Sequence, residues 1–164
     1  MIMRFLFFRL FLIIVSTLPI KAAAQLDQEA IMKPVRDLFR AMETNDSTLA
    51  ASVFTADAML HTIYTDQAGK VQKRSNPVSV LTSAFVKPKE QRWSEPIWNE
   101  KLEVSGELAS VWVDYAFYLD TTFSHCGVDA FHLIRTDGQW KIFHLADTRQ
   151  KEGCNVPDEL KAKY

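Results

Sequence analysis

The stretch FSHCGVDAFHLIRTDGQWKIFHLADT, residues 123–148, decides the fold. Two runs rich in β-branched and aromatic residues flank Asp137-Gly138, a dipeptide that favours the two-residue hairpin turn. A turn there sets the pairing of the strands. Arg135 falls opposite Trp140, Leu133 opposite Ile142, Phe131 opposite His144 and Asp129 opposite Ala146. The other face carries Val128, Ala130, His132 and Ile134 opposite Asp147, Leu145, Phe143 and Lys141. Both faces mix apolar and polar groups. The first holds the larger aromatic load and is read as the inner one. An extra residue in the strand would exchange the two sets.

Moving outward, residues 111–119 alternate with period two and carry bulk on both faces, as in a strand covered on both sides. Residues 91–104 read as extended, with Pro96 marking a bulge or an edge. Upstream the period is helical. Ile31, Val35, Leu38, Phe39 and Met42 make one face of a helix over 27–44, in which Pro34 belongs to the first turn or marks a kink. A short helix is expected over 47–53 and a strand over 58–64. Residues 65–75 read as a polar loop. Asn76-Pro77 reads as the start of a helix that Pro88 limits. Helices segregated ahead of long antiparallel strands mean an α+β domain. A long curved sheet with helices on its concave face would enclose a cone-shaped cavity.

The first residues follow a different rule. Arg4 precedes an apolar run over residues 10–20, and Ala22-Ala23-Ala24 supplies small residues before Gln25. That is the pattern of a secretory signal peptide over 1–24. Arg9 and Lys21 bracket only eleven residues, too few to span a bilayer, which takes about 20. No stable membrane anchor is expected after cleavage, and export to the periplasm or medium follows. The 164-residue chain has a net charge of -1. Loss of the leader leaves 140 residues with 16 basic against 20 acidic groups. Such a balance carries no basic field for nucleic acid. The domain is expected over 25–154, with a C-terminal tail over 155–164.

Export favours a disulfide between Cys126 and Cys154. The hairpin register nevertheless puts Cys126 opposite Arg149, five residues short of its partner, so the chain would have to turn back near Gly153. Asp129 and His144 occupy diagonal positions on the inner face. They are the candidate acid–base pair, because burial and a neighbouring charge both shift pKa values. Trp98, Trp112, Tyr115, Phe131 and His61 are candidate ligand contacts, with Arg149 at the pocket mouth. The four histidines lack HxH or HExxH spacing, so no metal is expected, and no cofactor motif is present.

Three segments carry a resemblance: SEPIWNEKLEVSGELASVWVDYAFYLD (94–120), FSHCGVDAFHLIRTDGQWKI (123–142) and ADTRQKEGC (146–154). They are similar to the lumazine-binding type of exported bacterial protein. That type lies within the nuclear transport factor 2-like superfamily, whose SnoaL-like and ketosteroid isomerase-like members share the cone fold. The resemblance implies an α+β cone with a pocket under the helices and a possible homodimer through the sheet. It names no reaction. A small apolar or aromatic ligand is expected. The alternative is a non-catalytic interaction or dimerisation module of the same fold.

Overall fold

The structure is a computed structural model that describes residues 18–86 and 90–164, with side chains from Asp27 onward. The leader expected over 1–24 therefore lies, up to residue 17, outside the described residues, as does Pro88. Helix α1 runs from Leu18 to Thr44. It starts earlier than the apolar periodicity suggested, because Ala22-Ala23-Ala24 are the best helix formers. Pro34 is consequently interior rather than in the first turn. Ile31, Val35 and Leu38 are fully buried, as the stripe requires. A short α2 (Ser47–Ser52) follows, capped by Asp46, whose side chain accepts from the Leu49 amide at 2.9 Å.

Strand β1 (Phe54–Thr65) leads into β2 (Val71–Pro77), where a polar loop was expected. The difference has a local cause. Asp66 accepts from the Ala68 and Lys70 amides and from Gln72, which closes a tight turn and lets the following residues pair with β1. An exposed polar edge strand leaves no alternating pattern to read. The next helix, α3 (Val78–Ser83), begins one residue after Pro77, which keeps an extended ψ and receives no side-chain cap.

The rest of the chain is sheet. Trp93–Ser94 (β3) and Ile97–Ser105 (β4) both pair with β5 (Leu108–Leu119), and Glu95-Pro96 interrupts them. Strands β6 (Thr122–Thr136) and β7 (Gln139–Arg149) form the expected hairpin. Asp137 and Gly138 both take positive φ, the geometry of the primed turns that match strand twist. The strand order is β2-β1-β7-β6-β5-β3, with β1 and β7 parallel. Helix α1 covers the concave side, and Phe39 meets Phe131 edge-on at 6.1 Å. The sheet is curved but does not close.

The hairpin register changes partway. Arg135 faces Trp140 and Leu133 faces Ile142 as expected, but His132 then faces His144 and Asp129 faces Asp147. Phe143 is the extra residue, a β-bulge on β7. Its physical reason is the spacing of inward apolar groups. Ile142 and Leu145 are both buried yet three residues apart, and a regular strand cannot turn both to one side.

Residues 155–164 do not trail away. Helix α4 (Asp158–Lys161) follows the disulfide. Val156 is buried with Tyr118 and Cys126, and Tyr164 stacks on Tyr118 at 4.7 Å. The Cys126–Cys154 disulfide is present, with Cα atoms 6.0 Å apart. The bulge moves Cys126 opposite Gln150, one residue nearer its partner, and Gly153 takes the positive φ of the returning turn.

Candidate functional site

The inner faces of β5, β6 and β7 are apolar under α1 and become polar toward the open end of the cone. Val111, Val113, Phe131, Leu133 and Ile142 fill the narrow part and are almost inaccessible. One turn of pleat higher the same strands present Tyr115, Asp129 and Asp147. Glu95 enters from the β3–β4 break. Together with His125 and Arg149 they wall a cavity of about 60 Å³, roofed by apolar groups that include Phe39, Leu60 and Leu81. A larger groove of about 400 Å³ lies between α1 and the hairpin turn. Its one carboxylate, Asp37, already pairs with Lys33 and Arg40, and Lys141 donates to the Ser52 carbonyl. The smaller space is where several carboxyls meet without a full set of cationic partners.

Three carboxyls converge there. Asp129 and Asp147 are buried, at 3% and 5% exposure, and they face each other across the β6–β7 pair. Asp147 is fully partnered. It accepts from Thr62 Oγ1 at 2.7 Å and from Arg149 Nε at 2.7 Å. Asp129 and Glu95 instead hydrogen-bond to each other, which requires a proton between them. Burial pushes Glu95 up to about 8, and the Asp147 charge adds to that, against the contact with Asp129 and the Arg149 cation. Burial likewise holds Asp129 well above the usual carboxylate range, reinforced by the charges of Glu95 and Asp147. The pair retains at least one proton at neutral pH. With one proton it offers a donor and an acceptor side by side.

The neighbours restrict access and orientation. Tyr115 donates its hydroxyl to the Thr148 carbonyl at 2.8 Å, and burial raises its pKa beyond the ordinary phenol range. It reaches that carbonyl across Gly127, its cross-strand partner. A Cβ on Gly127 would lie 1.9 Å from the same carbonyl oxygen, so only glycine allows the approach. Burial, aided by the Arg149 cation, pushes His125 down to about 4. Its ring is neutral at pH 7 and packs against Tyr115 and Phe117. A neutral imidazole carries one donor and one acceptor nitrogen. Both cysteines are tied in the disulfide. Among the described residues no group of three His, Cys, Asp or Glu side chains is arranged to hold a metal.

The candidates read from sequence divide between two faces. Asp129, Tyr115 and Arg149 wall the cavity, and Phe131 lies in the packed core beneath it. His144 does not accompany Asp129. The bulge at Phe143 turns it to the convex side, where its Nδ1 lies 3.1 Å from that of His132 and its ring 5.0 Å from His61. Burial and the two neighbouring imidazoles lower its pKa. His61 is on that same convex side, bonded to Ser75 at 2.8 Å. Trp112 is also convex and 48% exposed. Trp98 packs against the C-terminal cluster rather than the cavity.

Sequence reasoning missed Glu95, Asp147 and His125 as site residues. Asp147 was assigned to the wrong face by the unbroken register. The uneven spacing of Trp140, Ile142 and Leu145 is the signal that would have corrected it. Nothing local marks Glu95, which reaches the site only because Pro96 breaks the edge strand.

The family profile described as "Putative lumazine-binding" matches residues 26–145. No curated protein matches the chain. Among solved structures, a nuclear transport factor 2-like protein with a cystatin-like fold from Novosphingobium aromaticivorans is 10% identical with a TM-score of 0.62, covering 87% of this chain and 91% of its own. The beta subunit of an aromatic-ring-hydroxylating dioxygenase, so described provisionally, from the same organism is 13% identical with a TM-score of 0.64, covering 79% and 92%. A protein described in the same way as a scytalone dehydratase, also from that organism, is 15% identical with a TM-score of 0.60, covering 79% and 88%. At these identities the likeness shows the fold.

Proposed function

Because the chain belongs to the "Putative lumazine-binding" family and has the nuclear transport factor 2-like fold, we propose that it takes a small molecule into the cavity beneath α1 and exchanges a proton with it through Glu95 and Asp129. The hydrogen-bonded carboxyl pair on the cavity wall carries this reading. Two carboxyls pushed above their ordinary range are poised for proton transfer near neutral pH. The ionised member removes a proton from a carbon or oxygen of the ligand. The protonated member returns one to an adjacent carbonyl, so total charge is conserved. Asp147, locked by Arg149 and Thr62, holds the electrostatic frame. Export accompanies this reading, supported by the leader pattern and the disulfide.

The test is a thermal-shift screen of small apolar and aromatic carbonyl compounds, followed by hydrogen–deuterium exchange of the α-protons of the stabilising compound. Exchange catalysed by the parent and abolished in Asp129→Asn, with the melting temperature retained at pH 7, supports the reading. Equal exchange rates in parent and variant remove Asp129 from the chemistry. A screen with no stabilising compound removes the cavity.

A second reading is homodimerisation through the convex face. Met59, Leu108, Trp112, Ile134 and Phe143 are all exposed there, more apolar surface than scattered single residues provide. Sedimentation of the parent as a dimer and of Trp112→Glu as a monomer would support it. A monomeric parent would refute it.

A further inference from the structure

We propose that the recess at the cavity mouth binds an oxyanion, so that the molecule entering the cavity is an organic acid, a carboxylate or a phosphate monoester. This rests on the cavity reading above and specifies its ligand class. The recess has a volume of about 350 Å³. Arg74, Arg149 and Lys151 line it with Ser124, His125 and Tyr64, and no Asp or Glu lines it. His125 and Arg149 also wall the acid-lined cavity, so the two spaces adjoin at those side chains.

Arg74, Arg149 and Lys151 meet on a wall that no carboxylate lines, in a chain that carries more acid than base. Arg36, Arg40, Arg92, Arg135 and Arg149 each pair with a carboxylate. Among the described residues Arg74 is the one arginine that does not. Its guanidinium stands 5.9 Å over the Tyr64 ring, which holds it beside the recess. Arg149 is committed through Nε to Asp147. That bond fixes the plane of the guanidinium. It leaves both Nη groups without a hydrogen-bond partner among the described residues. A guanidinium fixed in this way presents a fork that matches two oxygens of a carboxylate or phosphate. Lys151 adds a point charge, and Ser124 a neutral donor. Like charges held together in a concave surface repel one another and concentrate the opposite charge. An anionic ligand removes that repulsion.

The arrangement also divides the ligand into parts. The anionic end stays in the wide recess, and the uncharged end passes His125 toward Glu95 and Asp129. The small cavity admits only a small reacting group. The anion is then kept away from the carboxyl pair, whose own charge would repel it.

The experiment uses the full chain and matched probes: phenylacetate against phenylacetamide, and phenyl phosphate against phenol, measured by calorimetric titration at low and high salt. One or both acids should bind about tenfold or more tightly than the neutral partner, since charge-assisted bonds are about twice as strong as neutral ones. The preferred acid identifies the oxyanion. Arg74→Ala and Lys151→Ala should each weaken acid binding about threefold or more and leave neutral binding unchanged. Both residues are exposed, so folding is not at risk. Added salt should erode the preference. Acid and neutral probes binding equally, or acid affinity unaffected by both variants, overturns the oxyanion site. In that case neutral binding that is still lost in Asp129→Asn preserves the cavity reading. No binding of any acid overturns the oxyanion site as well.

Discussion

Replacing Glu95 by Gln should make the protein more stable at alkaline pH, although it removes half of a hydrogen-bonded pair. The reasoning starts from proton affinity. Glu95 is pushed from its ordinary value of 4.5 to about 8 in the folded chain. The folded state therefore holds that proton more tightly than the unfolded state does. Stability from this group is fully present below the unfolded value and is lost as pH rises toward 8. Each tenfold of proton affinity corresponds to about 1.4 kcal/mol, so the full shift sets an upper bound of roughly 5 kcal/mol. Glu95 keeps some contact with solvent at the cavity wall, which reduces the expected loss to about 2–4 kcal/mol. Glutamine cannot ionise and mimics the protonated acid. Urea unfolding at pH 5, 7 and 9 measures the effect. The parent should lose about 2–4 kcal/mol more than Glu95→Gln between pH 5 and 9. Asp129 contributes in the same direction, since its pKa is also raised. Stability curves for parent and variant that run parallel within about 0.5 kcal/mol would refute a buried, proton-sharing pair.

Gly127→Ala should destabilise the fold by about 2–5 kcal/mol, because its Cβ would displace the Thr148 backbone and orphan the buried Tyr115 hydroxyl. A urea midpoint unchanged from the parent would contradict that geometry. Thiol titration of the denatured, unreduced protein should find no free thiol. Reducing the disulfide, which closes a 28-residue separation, should lower stability by about 3–4 kcal/mol in the chain-entropy model. In an NMR titration His144 should protonate below the ordinary histidine range, and His132→Ala should raise that value by removing one of the two imidazole neighbours. No movement on substitution would break the proposed contact. Asp129→Asn, Trp112→Glu and the two recess variants complete the set through the assays given above.

The fold was legible because it rests on short-range signals. Asp137-Gly138 demanded a hairpin, and the spacing from Ile31 to Met42 demanded a helix with one apolar face. Residues 111–119 read as a strand with bulk on both faces, and only the structure turns Val111, Val113 and Tyr115 inward and leaves Trp112 exposed. The site was less legible for an identifiable reason. A hairpin register propagates from its turn, so one inserted residue changes the face of everything beyond it. Phe143 is that residue. Up to Leu133 the expected pairing matches the structure; past it His144 and Asp147 exchange sides. The proton-sharing partner of Asp129 then had to come from elsewhere, and Glu95 lies 34 residues upstream by numbering.

By itself the sequence determined the long helix, the long strands, the α+β class, the hairpin turn and the two cysteines available to pair. Each is set by local backbone preference or by the period of the apolar residues. The tertiary structure alone decided which charged groups meet. Burying Ile142 and Leu145 on one face forces the bulge, the bulge turns Asp147 inward and moves Cys126 opposite Gln150, and the break at Pro96 delivers Glu95. Burial then raises the two acids. No local pattern encodes that outcome, because the cost of burying charge exists only once the sheet has curved beneath the helix.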